Sequence, residues 1–421
     1  MSFVGAAAGA ARTRLGARRA VEALRSGVPS RDAVAALGSG QGDIEDVFVG
    51  LLEGGGGQRS DMRGLLLGGG FGAGKSHVLE HLAHLGLQRE FVVSRIVVSK
   101  ETPLHDPVKV LRAAVESAVT PEGAVGAVAE AAGTLDPESP AFAELLRWAS
   151  GSDSAVDEWF PLTLSLFPRV QGGEDDFSEA IVRFWSGDKI GVAELRRHAK
   201  WAGLGRPALA AVPAREMAIQ RFRFLARLFV SAGHAGWLLL FDEVELIGRY
   251  TPLQRGRSYA ELARWLQTDA DDRSSPLRTV LAMTDDFEAA VLSAKNDREL
   301  IPARLRARQS TEGDVIAGSA EAAMRFIERD MMLLHPPDDE ELHHAYLRLK
   351  ELHSQAFDWD APDVPGLERL GATRMRQYVR AWINEWDLVR LDPAFHPQTQ
   401  VAPVAFSYAE QPDLEHPDES E

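Results

Sequence analysis

The octapeptide Gly69-Gly70-Phe71-Gly72-Ala73-Gly74-Lys75-Ser76 constrains this chain more than any other feature. It fits the spacing G-x-x-x-x-G-K-[ST] at every fixed position. A phosphate chain needs several backbone N–H groups converging on it, and glycine alone allows both the backbone angles and the close approach. Lys75 supplies a point charge for the β- and γ-phosphates, and Ser76 a hydroxyl for magnesium. A helix starting here turns its positive end toward the anion. These eight residues are the candidate cofactor-binding set. His77 follows directly and is counted with them, although packing is the plainer role for it.

The flanks suit the motif. Residues 63–68 (RGLLLG) read as a short buried strand, residues 76–87 carry a helical pattern, and residues 91–100 (FVVSRIVVSK) are β-branched enough for a second strand. Strand, loop, helix and strand make one βαβ unit, which implies a parallel sheet. A third strand is expected at 236–241 (GWLLLF) and a fourth at 277–283 (LRTVLAM), preceded by helices at 214–231 and 258–268. Such unbroken apolar runs belong to strands covered on both faces.

The third strand runs into Asp242-Glu243. An apolar strand ending in two acids is the Walker B pattern: Asp242 would hold the magnesium shell, and Glu243 would polarise the attacking water. Adjacent acids after a strand are unspecific alone, but a phosphate loop upstream gives them a purpose. Glu245 is a weaker substitute for Glu243. Thr284, after the fourth strand, can reach the water or γ-phosphate; the structural alternative is a turn or cap role in Thr284-Asp285-Asp286. Arg298, Arg304, Arg306 and Arg308 crowd the next segment. Guanidinium groups stabilise charge on a transferred phosphoryl, in cis or from a neighbouring subunit, so Arg304 and Arg306 are finger candidates. For any one of these arginines, solvated surface is the plainer reading.

Composition narrows the class. The chain has 421 residues, is 45% hydrophobic and 26% charged, and has room for two or three domains. Its formal net charge of -16 argues against a surface coated for indiscriminate nucleic-acid binding, while leaving room for a local basic groove. It has no cysteine, so disulfides and thiolate metal sites are excluded. No apolar run reaches membrane-span length, and the start MSFVGAAAGAARTRLGARR has the reverse order of a secretory signal, so a cytoplasmic protein is expected. The 12 histidines show no metal-ligand spacing.

The expected domains are a helical N-terminal arm (1–62), the phosphate-loop half of the core (63–117), and a mostly helical insertion with its own small core (118–212). The Walker B half (213–317), a helical lid (318–405) and an acidic, disordered tail (406–421) follow. The four tryptophans of the insertion, Trp148, Trp159, Trp185 and Trp201, are read as core packing.

The segments GLLLGGGFGAGKSHVLEHL, VVSKETPLHDPVKVLRAAVESA and LLLFDEVELI resemble the ATP-binding proteins of bacterial BREX anti-phage systems, in particular the smaller, BrxD-like members. More broadly they resemble the AAA+ class near the origin-recognition and Cdc6-like group. The resemblance spans about residues 63–110 and 214–310. It implies an α/β AAA+ (ASCE) P-loop ATPase with a parallel sheet, a helical insertion and a C-terminal helical lid. It also implies ATP and Mg²⁺ as cofactors, bound through Lys75, Ser76 and Asp242. Gly371-Ala372-Thr373-Arg374 resembles that group's lid sensor, which makes Arg374 a candidate catalytic residue. The partners implied are further copies of the chain, defence proteins such as a helicase, and double-stranded DNA. The insertion departs from the broad class, and no compact basic recognition helix stands at the C-terminus. The rival readings are a nucleotide-dependent assembly switch with little turnover and a small-molecule P-loop kinase; the acid pair and the long helical C-terminal part disfavour the kinase.

Overall fold

The computed structural model describes residues 3–27, 34, 37–54, 62–123, 125–151, 156–171, 176–205, 207–268, 274–364 and 375–394, the first eleven of them as backbone only. Five parallel strands form one sheet: β1 Gly64–Gly68, β2 Phe91–Val97, β3 Gly236–Asp242, β4 Leu277–Met283 and β5 Met332–Leu333. Their spatial order is β2-β3-β4-β1-β5, so β4 lies between the strand that enters the glycine loop and the strand that ends in the acid pair.

The apolar runs are buried on both faces, as their composition requires. Alternate residues separate into two layers. Trp237, Leu239 and Phe241 of β3 join Leu66, Leu281 and Met283 on one face. Leu238 and Leu240 join Leu65, Leu67, Val280 and Ala282 on the other. The helices, in chain order, are α1 Phe3–Ser26, α2 Gly42–Leu52, α3 Lys75–Gln88, α4 Pro107–Glu116, α5 Ala127–Gly133, α6 Pro140–Ser150, α7 Trp159–Val170 and α8 Phe177–Ser186. They continue with α9 Val192–Trp201, α10 Ala214–Ser231, α11 Pro252–Leu266, α12 Asp297–Arg306, α13 Thr311–Arg329, α14 Asp339–Phe357 and α15 Met375–Leu391. α2 and α3 cover the second face through Ile44, Phe48, Val78 and Leu82. The first face carries α4, α10 and α11.

Three features differ from the sequence-based expectation. The second strand ends at Val97, because the chain turns at once: Ser99 N–H donates to Thr102 O at 3.2 Å. The stretch after Gly318 is not wholly helical, since β5 pairs with β1 and Leu334 N–H then donates to Gly68 O at 2.7 Å. The helices of 118–212 do not make a separate core. Phe160, Leu164, Ile181, Trp185 and Leu195 belong to the apolar cluster that contains Trp237 and Phe241. The reason is α10, which buries Phe222, Phe224, Leu225, Leu228 and Phe229 and so presents apolar surface to the sheet and the insertion at once. Trp185 and Trp159 pack in this core, whereas Trp201 is 68% exposed.

α1 packs away from the sheet. Ala17, Val21 and Leu24 share a third cluster with Leu349, Tyr378, Trp382 and Trp386 of α14 and α15. Asp338 caps α14 in a reciprocal box with Glu341. The acidic stretch 406–421 and Arg374 lie outside the described residues.

Two buried contacts join the core tightly. Gly64 sits where an added Cβ would stand 2.1 Å from Thr279 Oγ1 and 2.7 Å from Trp265 O. The Arg255 guanidinium pairs with both oxygens of Asp297 at 2.8 Å, and Tyr259 donates its hydroxyl to the same carboxylate at 2.7 Å. Gly64→Ala is expected to lower unfolding free energy by about 1–3 kcal/mol through overpacking against backbone that cannot yield. Asp297→Ala, which leaves Arg255 buried without its counter-ion, is expected to cost about 3–5 kcal/mol. Urea midpoints at unchanged slope measure both; values at wild-type level would contradict the packing described.

Candidate functional site

The glycine loop leaves β1 and enters α3 at Lys75. Gly72 and Gly74 take φ angles of 83° and 107°, which a side chain would strain, so these two glycines meet a backbone demand. Gly74 stands at the N-cap of α3 with no side-chain cap, and the amides of the first turn face the loop's concavity. Gly69 N–H donates to Met283 O at 3.2 Å, which ties the loop to the end of β4.

The sheet brings the acid pair to the same place. Ser76 donates its hydroxyl to Asp242 Oδ2 at 2.5 Å. Asp242 Oδ1 accepts from Glu243 N–H at 2.9 Å. Glu243 adopts φ 59°, a left-handed conformation rare for a residue with a side chain, and starts a 3₁₀ turn over Val244–Arg249. Burial pushes the Glu243 carboxyl up from its ordinary value, and the Asp242 charge adds to this; Lys75, Arg249 and Arg376 oppose it. A raised carboxyl is better matched to proton transfer near neutral pH. Lys75 is 8% exposed, and its ammonium donates to Gly69 O at 2.9 Å.

These groups open onto a cavity of about 510 Å³, a size that suits a cofactor. Its wall combines three parts of the chain: the loop with Asp242, Glu243 and Glu245; the segment Gly38–Gly40–Gln41 before α2; and Leu24, Ala345, Arg348, Met375, Arg376 and Val379 of the helical cluster. His77 is not turned to the loop's concavity alone. Its Nε2 lies 2.7 Å from Gly38 O, and since a carbonyl only accepts, this nitrogen carries the proton. Burial holds that imidazole below its ordinary pKa. Gln41 clasps the chain entering α14: its amide donates to His335 O at 3.1 Å and accepts from His335 N–H at 2.9 Å.

Several sequence-derived candidates stand elsewhere. Thr284 is 3% exposed but does not line the cavity. Arg304 and Arg306 are exposed on α12, and Arg306 pairs with Glu321 at 2.8 Å. Neither reaches the cavity. Arg374 falls outside the described residues, while Arg376, two positions on, lines the wall and donates to Gly27 O at 3.1 Å. Sequence reading did not single out Arg376. It gave no signal for the 38–41 segment, whose place depends on contacts with residues far along the chain.

Among the described residues, no group of three or more His, Asp and Glu side chains could hold a metal ion by itself, and no helix is long and apolar enough to cross a membrane. No curated protein and no solved structure matches the chain. A family model described as BREX system ATP-binding protein BrxC/D matches residues 14–386, which takes in the insertion and the helical cluster as well as the two core segments that carried the resemblance. Since the match spans most of the sequence, from within α1 to within α15, the chain belongs to the BREX system ATP-binding protein BrxC/D family.

Proposed function

We propose that this protein hydrolyses ATP in an AAA+ type site and uses the cycle to act with partner proteins of the defence system. The observation that carries the reading is the Ser76–Asp242 hydrogen bond at 2.5 Å beneath a glycine loop, with Glu243 next in line. The triphosphate would lie in the loop, with Lys75 against its β- and γ-phosphates. Ser76 and Asp242 offer two hard oxygen donors side by side, the chemistry Mg²⁺ takes, and they would hold the ion that neutralises phosphate charge. Glu243 orients the attacking water and accepts its proton. Leu24, Met375 and Val379 supply the apolar end of the cavity, where a nucleobase would sit. Arg376 stands where a guanidinium from the helical cluster would meet the phosphates, the role assigned by resemblance to Arg374.

Arg304 and Arg306 reach no phosphate in their own chain. A catalytic part for them requires a neighbouring copy, which fits a ring or filament of this protein, and double-stranded DNA and a helicase are the partners to test. The second reading, a nucleotide-dependent assembly switch with little turnover, draws on the same wall: α1, α14 and α15 all touch the cavity, so nucleotide occupancy can change how they sit.

Lys75→Ala is expected to abolish nucleotide binding, as measured by fluorescence titration with a labelled ATP; retained micromolar binding would refute the assignment of the loop. Glu243→Gln is expected to bind ATP normally and to slow phosphate release about 10²–10³-fold, the scale of losing one positioned group. Full turnover in that variant would move the base elsewhere. Steady-state phosphate release with and without double-stranded DNA separates the hydrolytic machine from the switch.

A further inference from the structure

Lys75 and Glu245 meet deep in the cavity wall. Glu245 is 1% exposed, and its Oε1 stands 4.0 Å from Lys75 Nζ. Its Oε2 is buried without a hydrogen-bond partner. The hydrolytic scheme above makes no use of it. A carboxylate in such a place is tolerated while a cation offsets it, or once it carries a proton. The charged groups that face it are Lys75 at the start of α3 and Glu243 and Asp242 at the end of β3.

We propose that Glu245 is the counter-ion of Lys75 when no phosphate is bound, and that an arriving phosphate displaces it, the lysine turning its charge to the phosphate while the Glu245 carboxylate takes up one proton from solvent. The inference rests on reading the glycine loop as a nucleotide site. It makes Glu245 a positioning residue, which acts on the ligand through Lys75.

The balance of charges supports the exchange. Burial is the largest influence and pushes the Glu245 carboxyl up to about 7. Lys75 and the residue's own backbone N–H pull it down, and Glu243 and Asp242 push it up further. A bound phosphate adds negative charge and draws off the lysine. Both changes favour the protonated acid, so its proton affinity is higher in the complex than before it. Nucleotide affinity then falls as pH rises through the neutral range, where the carboxylate must be protonated for the complex to form. Near pH 6 the proton is already in place and the dependence fades.

The test is calorimetric titration of ADP in the presence of EDTA, which removes metal from the comparison. Wild-type protein and Glu245→Gln are each titrated at pH 7 in two buffers of different ionisation enthalpy. Wild-type protein is expected to take up a larger fraction of a proton than the variant, since glutamine has the shape of the acid and no charge to titrate. Glu245→Gln is expected to bind ADP about five- to tenfold more tightly than wild type at pH 8 and within about twofold of it at pH 6. Equal proton uptake and equal pH slopes in the two proteins would overturn the proposal while leaving the nucleotide site intact. Failure of ADP to bind wild-type protein at all would overturn the site itself, and this inference with it. Should the variant not fold, wild-type protein decides alone: a binding heat that tracks buffer ionisation beyond the nucleotide's own protonation supports the exchange, and one that does not refutes it.

Discussion

The hydrogen bond between Ser76 and Asp242 joins points 166 residues apart in the chain, and most of the architecture serves to bring them together. A parallel sheet puts the C-terminal ends of its strands on one edge, so the residues that leave β1 and β3 gather there. β4 stands between those two strands and sets their separation. The width of the strand between them allows the hydroxyl and the carboxylate to meet across the mouth of the loop. The close pairing of β1 with β4 depends in turn on Gly64, beside which there is no room for a methyl group.

Around that bond the chain concentrates like charge in a poorly hydrated place. Asp242, Glu243 and Glu245 lie within four positions, and Lys75 is the cation nearest to Glu245. Burying ions is costly, and a site that does so keeps a reserve of electrostatic free energy for a ligand able to rebalance it. Phosphate groups and a divalent ion bring charges of both signs, which fits such a reserve. The left-handed backbone of Glu243 belongs to the same pattern, since its strain is held in place by the hydrogen bond to Asp242 and by the buried turn that follows.

Much of the core was legible in the sequence. The strands at 236–241 and 277–283 and the helix at 214–231 appear where their apolar runs and periodicity put them, because a strand buried on both faces and a long helix leave unmistakable patterns. The two-residue β5 left none, since Met332–Leu333 is too short to show a period. The insertion looked like a separate body because its own sequence is helical and rich in tryptophan. What it packs on is decided by the outer face of α10, and no local pattern reports that. At the site, local motifs placed the loop and the acid pair, but not the segment Gly38–Gly40–Gln41. Its glycines and glutamine are ordinary loop residues until the fold sets His77 and His335 against them. Glu245 was likewise visible as an acid, while its burial beside Lys75 became apparent in three dimensions.

The packing of α1 on α14 and α15 has a consequence for how the protein is made. Arg18 donates to Ala356 O across 338 residues, and Arg25 pairs with Asp387. α1 leaves the ribosome more than 300 residues before the surfaces of α14 and α15 that bury Val21 and Leu24. Closing so long a loop slows assembly of this cluster, because the entropy must be lost before the contacts reward it. The five strands and the glycine loop all lie within residues 62–333, while one wall of the cavity waits for α14 and α15. A nascent chain can therefore carry its glycine loop well before the far wall of the cavity is in place, and the side of α1 that bears Val21 and Leu24 stays uncovered, a target for chaperones, during that interval.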